Sequence, residues 1–145
     1  TATAAIAEMV RQVGEPVFAA PDGTQLFAAQ MNDACEEADE DAEFLMKKGV
    51  IVRHLALPGQ EADSKRVLSY LLKTYGERIY ISLMNQYTPL PQVKRLYPEL
   101  GRKVGKREYE CLVDYAISLG VECAYIQEGK TAKESFIPDF DCEGV

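Results

Sequence analysis

The chain has 145 residues, of which 47% are hydrophobic and 27% charged. That length holds one domain at roughly 100–200 residues apiece, and that balance excludes a disordered or collagen-like chain. Sixteen Lys and Arg against 23 Asp and Glu leave a net charge of -7, a poor basis for binding nucleic acid, where phosphates demand clustered cations. In chain order, Thr3 to Val13 reads as a helix, because Ile6, Met9, Val10 and Val13 recur at helical spacing and Gly14 follows. The chain opens Thr1-Ala2-Thr3 without Met, as though inside a helix, and reads as a piece of a longer protein. Pro16 to Ala20 and Gln25 to Ala28 flank Pro21-Asp22-Gly23, the pattern of a small hairpin. Asn32 to Glu43 then carries seven carboxylates: Asp33, Glu36, Glu37, Asp39, Glu40, Asp41 and Glu43. A calcium loop would need a Gly at its central turn, and none is there, so the stretch reads as a solvated insertion or a frayed helix.

From Gly49 strands and helices alternate. Val50 to Leu57 is a β-prone run closed by Pro58-Gly59. Asp63 or Ser64 is placed to cap a helix carrying Val67, Leu68, Leu71, Leu72 and Tyr75, with Gly76 at its end. Ile79 to Met84 is a second strand. A loop with Pro89, Pro91 and Pro98 leads to an amphipathic helix over Lys106 to Leu119, ended by Gly120. Glu122 to Gln127 is a third short strand, and the tail Phe136 to Val145 is irregular. Strand–helix–strand–helix–strand implies right-handed βαβ units and a parallel sheet. Three strands cannot close a barrel, and a parallel sheet needs both faces covered. The pattern is therefore part of a barrel or a small open α/β layer.

Function in such sheets gathers at the carboxyl ends of the strands. Alternation puts Ile51, Arg53, Leu55 and Leu57 on one face of the first strand, and Val52, His54 and Ala56 on the other. A cation inside an apolar strand needs an anion. Arg53 therefore either grips a ligand carboxylate or phosphate with its planar fork, or pairs with a core acid. His54 reads as a satisfied structural histidine. Asn85 and Gln86 follow the second strand, where they either meet a ligand or cap the loop; Gln127-Glu128-Gly129 is a weaker echo after the third. Cys35, Cys111, Cys123 and Cys142 are spaced 76, 12 and 19 apart, without zinc-like pairing. Cys111 and Cys123 lie in apolar-periodic segments and read as buried free thiols, which fits a reducing cytoplasm. No apolar run approaches the ~20 residues of a membrane span. The GxSxG, P-loop, GxGxxG and HExxH patterns are all absent.

Three segments, Lys48-Gly49-Val50-Ile51-Val52-Arg53-His54-Leu55-Ala56-Leu57-Pro58-Gly59, Ile81-Ser82-Leu83-Met84-Asn85-Gln86-Tyr87-Thr88-Pro89 and Tyr97-Pro98-Glu99-Leu100, taken together resemble one family. It is the radical S-adenosylmethionine proteins of the pyruvate formate-lyase activating enzyme type. Glu8 to Gly14 and Phe136 to Asp141 are similar to it as well, so the resemblance covers residues 1–18 and 46–145. It implies the C-terminal part of a partial TIM-type (β/α)6 barrel, with parallel strands alternating with helices. It also implies two cofactors in the parent protein, S-adenosylmethionine and a [4Fe–4S] cluster held by a CxxxCxxC motif. Reductive cleavage of S-adenosylmethionine there yields a 5′-deoxyadenosyl radical, and the implied partner is a glycyl-radical enzyme whose glycine loses a hydrogen atom. By the same resemblance, Arg53 matches the arginine that contacts the methionyl carboxylate. Leu55 matches the position whose backbone lies against the adenine, and Gln86 a position at the end of the next strand that approaches it.

The chain departs from the family in lacking CxxxCxxC and the glycine-rich motif for the methionine amino group. Residues 1–145 are thus expected to form the C-terminal portion of a barrel domain. Within them, 19–45 would be an acidic insertion with a hairpin, 46–128 β/α units and 129–145 an irregular tail. Such a piece is expected to be inactive alone, to bind S-adenosylmethionine weakly through Arg53 and to self-associate through exposed sheet edges. A non-enzymatic α/β interaction module is the alternative.

Overall fold

A computed structural model describes residues 1–38, 42–120 and 124–126. Helix α1 spans Ala2–Val13, and β1 (Val17–Ala19) and β2 (Gln25–Phe27) form the expected hairpin. Next come α2 (Ala28–Glu37), β3 (Leu45–Lys48) and β4 (Ile51–Leu55). The remainder is α3 (Glu61–Tyr75), β5 (Tyr80–Met84), α4 (Pro91–Leu96), α5 (Lys106–Ser118) and β6 (Ala124–Ile126), with short 3-10 turns at Gly76–Arg78 and Pro98–Leu100.

The strands build two sheets of opposite character. One is antiparallel, in the order β2-β1-β3. The other is parallel, in the order β4-β5-β6, with Arg53 opposite Ser82, His54 opposite Leu83 and Leu55 opposite Met84. The chain passes from one sheet to the other through Gly49 and Val50 alone. Gly49 is required there: its φ is +158°, and a Cβ would stand 2.9 Å from Met46 Sδ and 3.3 Å from Pro16 Cβ. Chirality makes the α3 and α5 crossovers land on one side of the parallel sheet. There Leu68, Leu71, Leu112 and Ala116 meet Ile81 and Leu83 in one buried cluster, which Val10 of α1 joins. Each fully buried leucine of this kind contributes about 1.5–3 kcal/mol. On the other side Phe18 of β1 stacks at a tilt on Tyr80, ring centroids 5.1 Å apart, with Leu26, Met31 and Met46 packed around the pair.

The mixed α/β class with parallel pairing is thus as expected, and no barrel closes among the described residues. Several boundaries and roles differ. Met46 to Lys48, expected to begin the β/α units, instead form with Leu45 a strand that pairs antiparallel with β1. The acidic stretch begins within helix α2, of which Asp33, Glu36 and Glu37 are exposed. Helix α3 starts earlier than its expected caps: Gln60 precedes it, Asp63 lies in the first turn bonded to Arg66, and Ser64 is buried. The proline-rich loop contains α4, started by Pro91, where a missing N–H costs nothing. Cys111 is exposed, not buried: it lies beside the Tyr109–Leu112–Ala116 stripe instead of on it. The rims of the third strand at Glu122, Cys123 and Gln127, the Glu128-Gly129 echo, Cys142, Asp39 to Asp41 and the tail lie outside the described residues.

Candidate functional site

The carboxyl ends of β4 and β5 bring the sequence candidates together. Alternation along β4 holds: Ile51, Arg53 and Leu55 are exposed, whereas Val52 and His54 are half-buried. Arg53 therefore does not sit in a core and carries no desolvation cost. No acid partners it among the described residues, so the core ion pair is not formed there. Its neighbours on the same face are Ile51 and Leu55, which are 45% and 38% exposed, and across the register half-buried Ser82 and Met84. Gln86 follows β5 by two residues and is half-buried at the same end. The structure thus sets Arg53, Leu55 and Gln86 on two adjacent strands and the loop after them.

His54 faces the helices, but its buried Nε2 has no hydrogen-bond partner among the described residues, so the satisfied histidine is not formed there. Burial lowers its pKa below the ordinary 6.5, against an opposing pull from Asp63. The Oδ1 of Asn85 is buried and likewise has no partner among the described residues. Neither group has the environment of a proton donor or acceptor to a ligand on the open face.

The sequence reading missed a second constellation at the same end of the sheet. Glu108 Oε1 accepts from the Gly59 backbone N–H at 3.0 Å, and Oε2 from the Gly105 N–H at 2.8 Å. Arg102 forks onto both oxygens at 2.6 and 2.7 Å. These donors, Arg102 first, hold the carboxyl of Glu108 down to about 2. A Glu three residues into the helix that starts after Gly105 signals the capping half of this arrangement. The contacts to Gly59 and Arg102 have no local signature. The next residue, Tyr109, donates its hydroxyl to the Leu83 carbonyl at 2.9 Å.

Among the described residues no three His, Cys, Asp or Glu side chains gather as metal ligands. Cys35 and Cys111 are exposed thiols on α2 and α5. The chain has no CxxxCxxC, and the two described cysteines lie on separate helices. An open hollow of about 920 Å³ lies by the β1–β2 turn, between Pro21 and Phe44, away from the Arg53 candidates, with Glu43 and Lys47 the charges among its described lining residues. No described helix is long and apolar enough to cross a membrane. Comparison with family models, with curated proteins and with solved structures finds no match in any of the three.

Proposed function

We propose that this chain contributes the S-adenosylmethionine-facing wall of a partial (β/α)6 barrel of the radical S-adenosylmethionine type. One observation carries the reading: Arg53 projects, without an acid partner among the described residues, from the middle of an open apolar face of a parallel sheet. A guanidinium placed there suits a carboxylate, which it can bind through two parallel hydrogen bonds. The apolar strip of Leu55 and Met84 suits a flat heterocycle, with the amide of Gln86 at its edge. S-adenosylmethionine carries both groups and, in enzymes of this type, is the source of the radical that takes hydrogen from a protein glycine. This chain's own share is binding and orientation, because the CxxxCxxC motif that would hold the cluster is not in its sequence. A glycyl-radical enzyme is the partner in keeping with this reading.

Calorimetric titration of the chain with S-adenosylmethionine tests it. Wild type should bind weakly and Arg53→Ala about tenfold or more weaker, the usual loss for a charged hydrogen bond. Equal responses, or none in either protein, remove the assignment.

A second reading, a non-enzymatic interaction module, is favoured by the same open face, since parallel sheets are ordinarily covered on both sides. Both readings allow assembly through exposed edges, so the ligand response read beside light scattering separates the two. Assembly with no S-adenosylmethionine binding supports the module; binding that Arg53→Ala abolishes contradicts it.

A further inference from the structure

We propose that Glu108 is a positioning residue for the carboxyl end of β4. Its carboxylate fixes the Leu57–Gly59 turn, and through that turn the mouth of the sheet beside Leu55; the ligand half of this claim rests on the binding reading above.

Glu108 joins three pieces of chain that are distant in sequence. Gly105 and Arg102 lie just before α5, but Gly59 lies 49 residues away, past the end of β4. Capping α5 accounts for the bond to Gly105 and not for the one to Gly59. The turn's own bond, Gln60 N–H to the Leu57 carbonyl at 3.2 Å, is at the upper end of the ordinary range, and Gly59 holds a left-handed φ of +73°, so the tie from Glu108 adds to a lightly held turn. Glycine has many competing conformations in that region. Four donors on two carboxylate oxygens match the lone-pair sites a carboxylate offers. Glu108 is thus fully engaged and has no spare acceptor for a ligand proton. Helix α5 then grips both strands at the same end, β5 through Tyr109 and the Leu83 carbonyl, β4 through Glu108 and Gly59. Ala56 sits between the two grips. Its N–H donates to the Met84 carbonyl at 2.8 Å, the last rung joining the strands.

Amide exchange read residue by residue by NMR, beside a titration with S-adenosylmethionine, tests the proposal. Glu108→Gln keeps the shape and exchanges one acceptor oxygen for an N–H₂ group that faces donors. Exchange at Gly59 and at Ala56 should rise about tenfold or more, the scale of a lost charged hydrogen bond, with Leu83 unchanged. Affinity for S-adenosylmethionine should fall by a similar factor. Arg102→Lys keeps the two backbone contacts and should give a smaller change of the same sign; it serves as the readout if Glu108→Gln does not fold. Faster exchange at Gly59 alone, with Ala56 protected as in wild type, makes Glu108 a helix cap and overturns the proposal. So does unchanged affinity with both amides loosened. If wild type binds no S-adenosylmethionine, the binding reading fails, and Ala56 exchange still decides whether Glu108 orders the strand end.

Discussion

The two faces of the parallel sheet obey the same alternation and meet opposite fates. On one, Leu83 and Leu68 have no exposed surface, and α3 and α5 close over them with a buried hydroxyl-to-carbonyl bond from Tyr109. On the other, Phe18 covers the amino end by lying on Tyr80, whereas Arg53 and Leu55 of β4 are exposed among the described residues. Strand patterning places side chains on a face but does not provide the layer that covers it. The buried core thus lies on the helix side, and the exposed face on the other is the one on which the proposed ligand site lies.

Mutations can break or sharpen this contrast. The largest effect is expected for Leu83→Ala, which leaves a cavity under both helices and should cost about 2–5 kcal/mol in urea unfolding. A cost near zero would mean the helix layer does not hold the sheet. His54 comes next. Burial lowers its folded pKa below 6.5, so the unfolded chain binds the proton more readily. Its contribution is complete above pH 6.5 and lost as pH falls through the lower folded value. Urea midpoints should therefore drop between pH 7 and 5 in wild type and stay flatter in His54→Gln. Glu8 and Glu108, both held near 2, lose their contributions only below the ordinary carboxylate value of 4.5, outside that window. The smallest effect belongs to Leu55→Ala, which should change stability by no more than about 0.5 kcal/mol. A larger loss would show that the outer face is covered after all.

Much of the fold was legible because local chemistry and tertiary context agreed. The β-rich run around Ile51 and the Leu68–Leu71–Tyr75 stripe both formed, each between Gly or Pro stops. What was not legible depended on partners far away. Leu45-Met46-Lys47-Lys48 has two lysines and no β-branched residue, so only the β1 edge makes it a strand. Cys111 looked apolar by its neighbours, but the period of α5 turns it outward. For the candidate site, the strand and face of Arg53 followed from alternation, whereas its exposure followed from which elements happen to cover which face. Glu108 lay beyond reach for the same reason, since its contact with Gly59 spans 49 positions.

The tilted contact of Phe18 on Tyr80 has an optical consequence. The chain has eight tyrosines and no tryptophan, so its aromatic emission and near-ultraviolet dichroism are not masked by indole. Tyr80 sits under the antiparallel sheet and Tyr109 on the buried side of α5. Replacing either by Phe would remove one of the eight tyrosine signals, and the difference from wild type would report on that side of the sheet as it assembles.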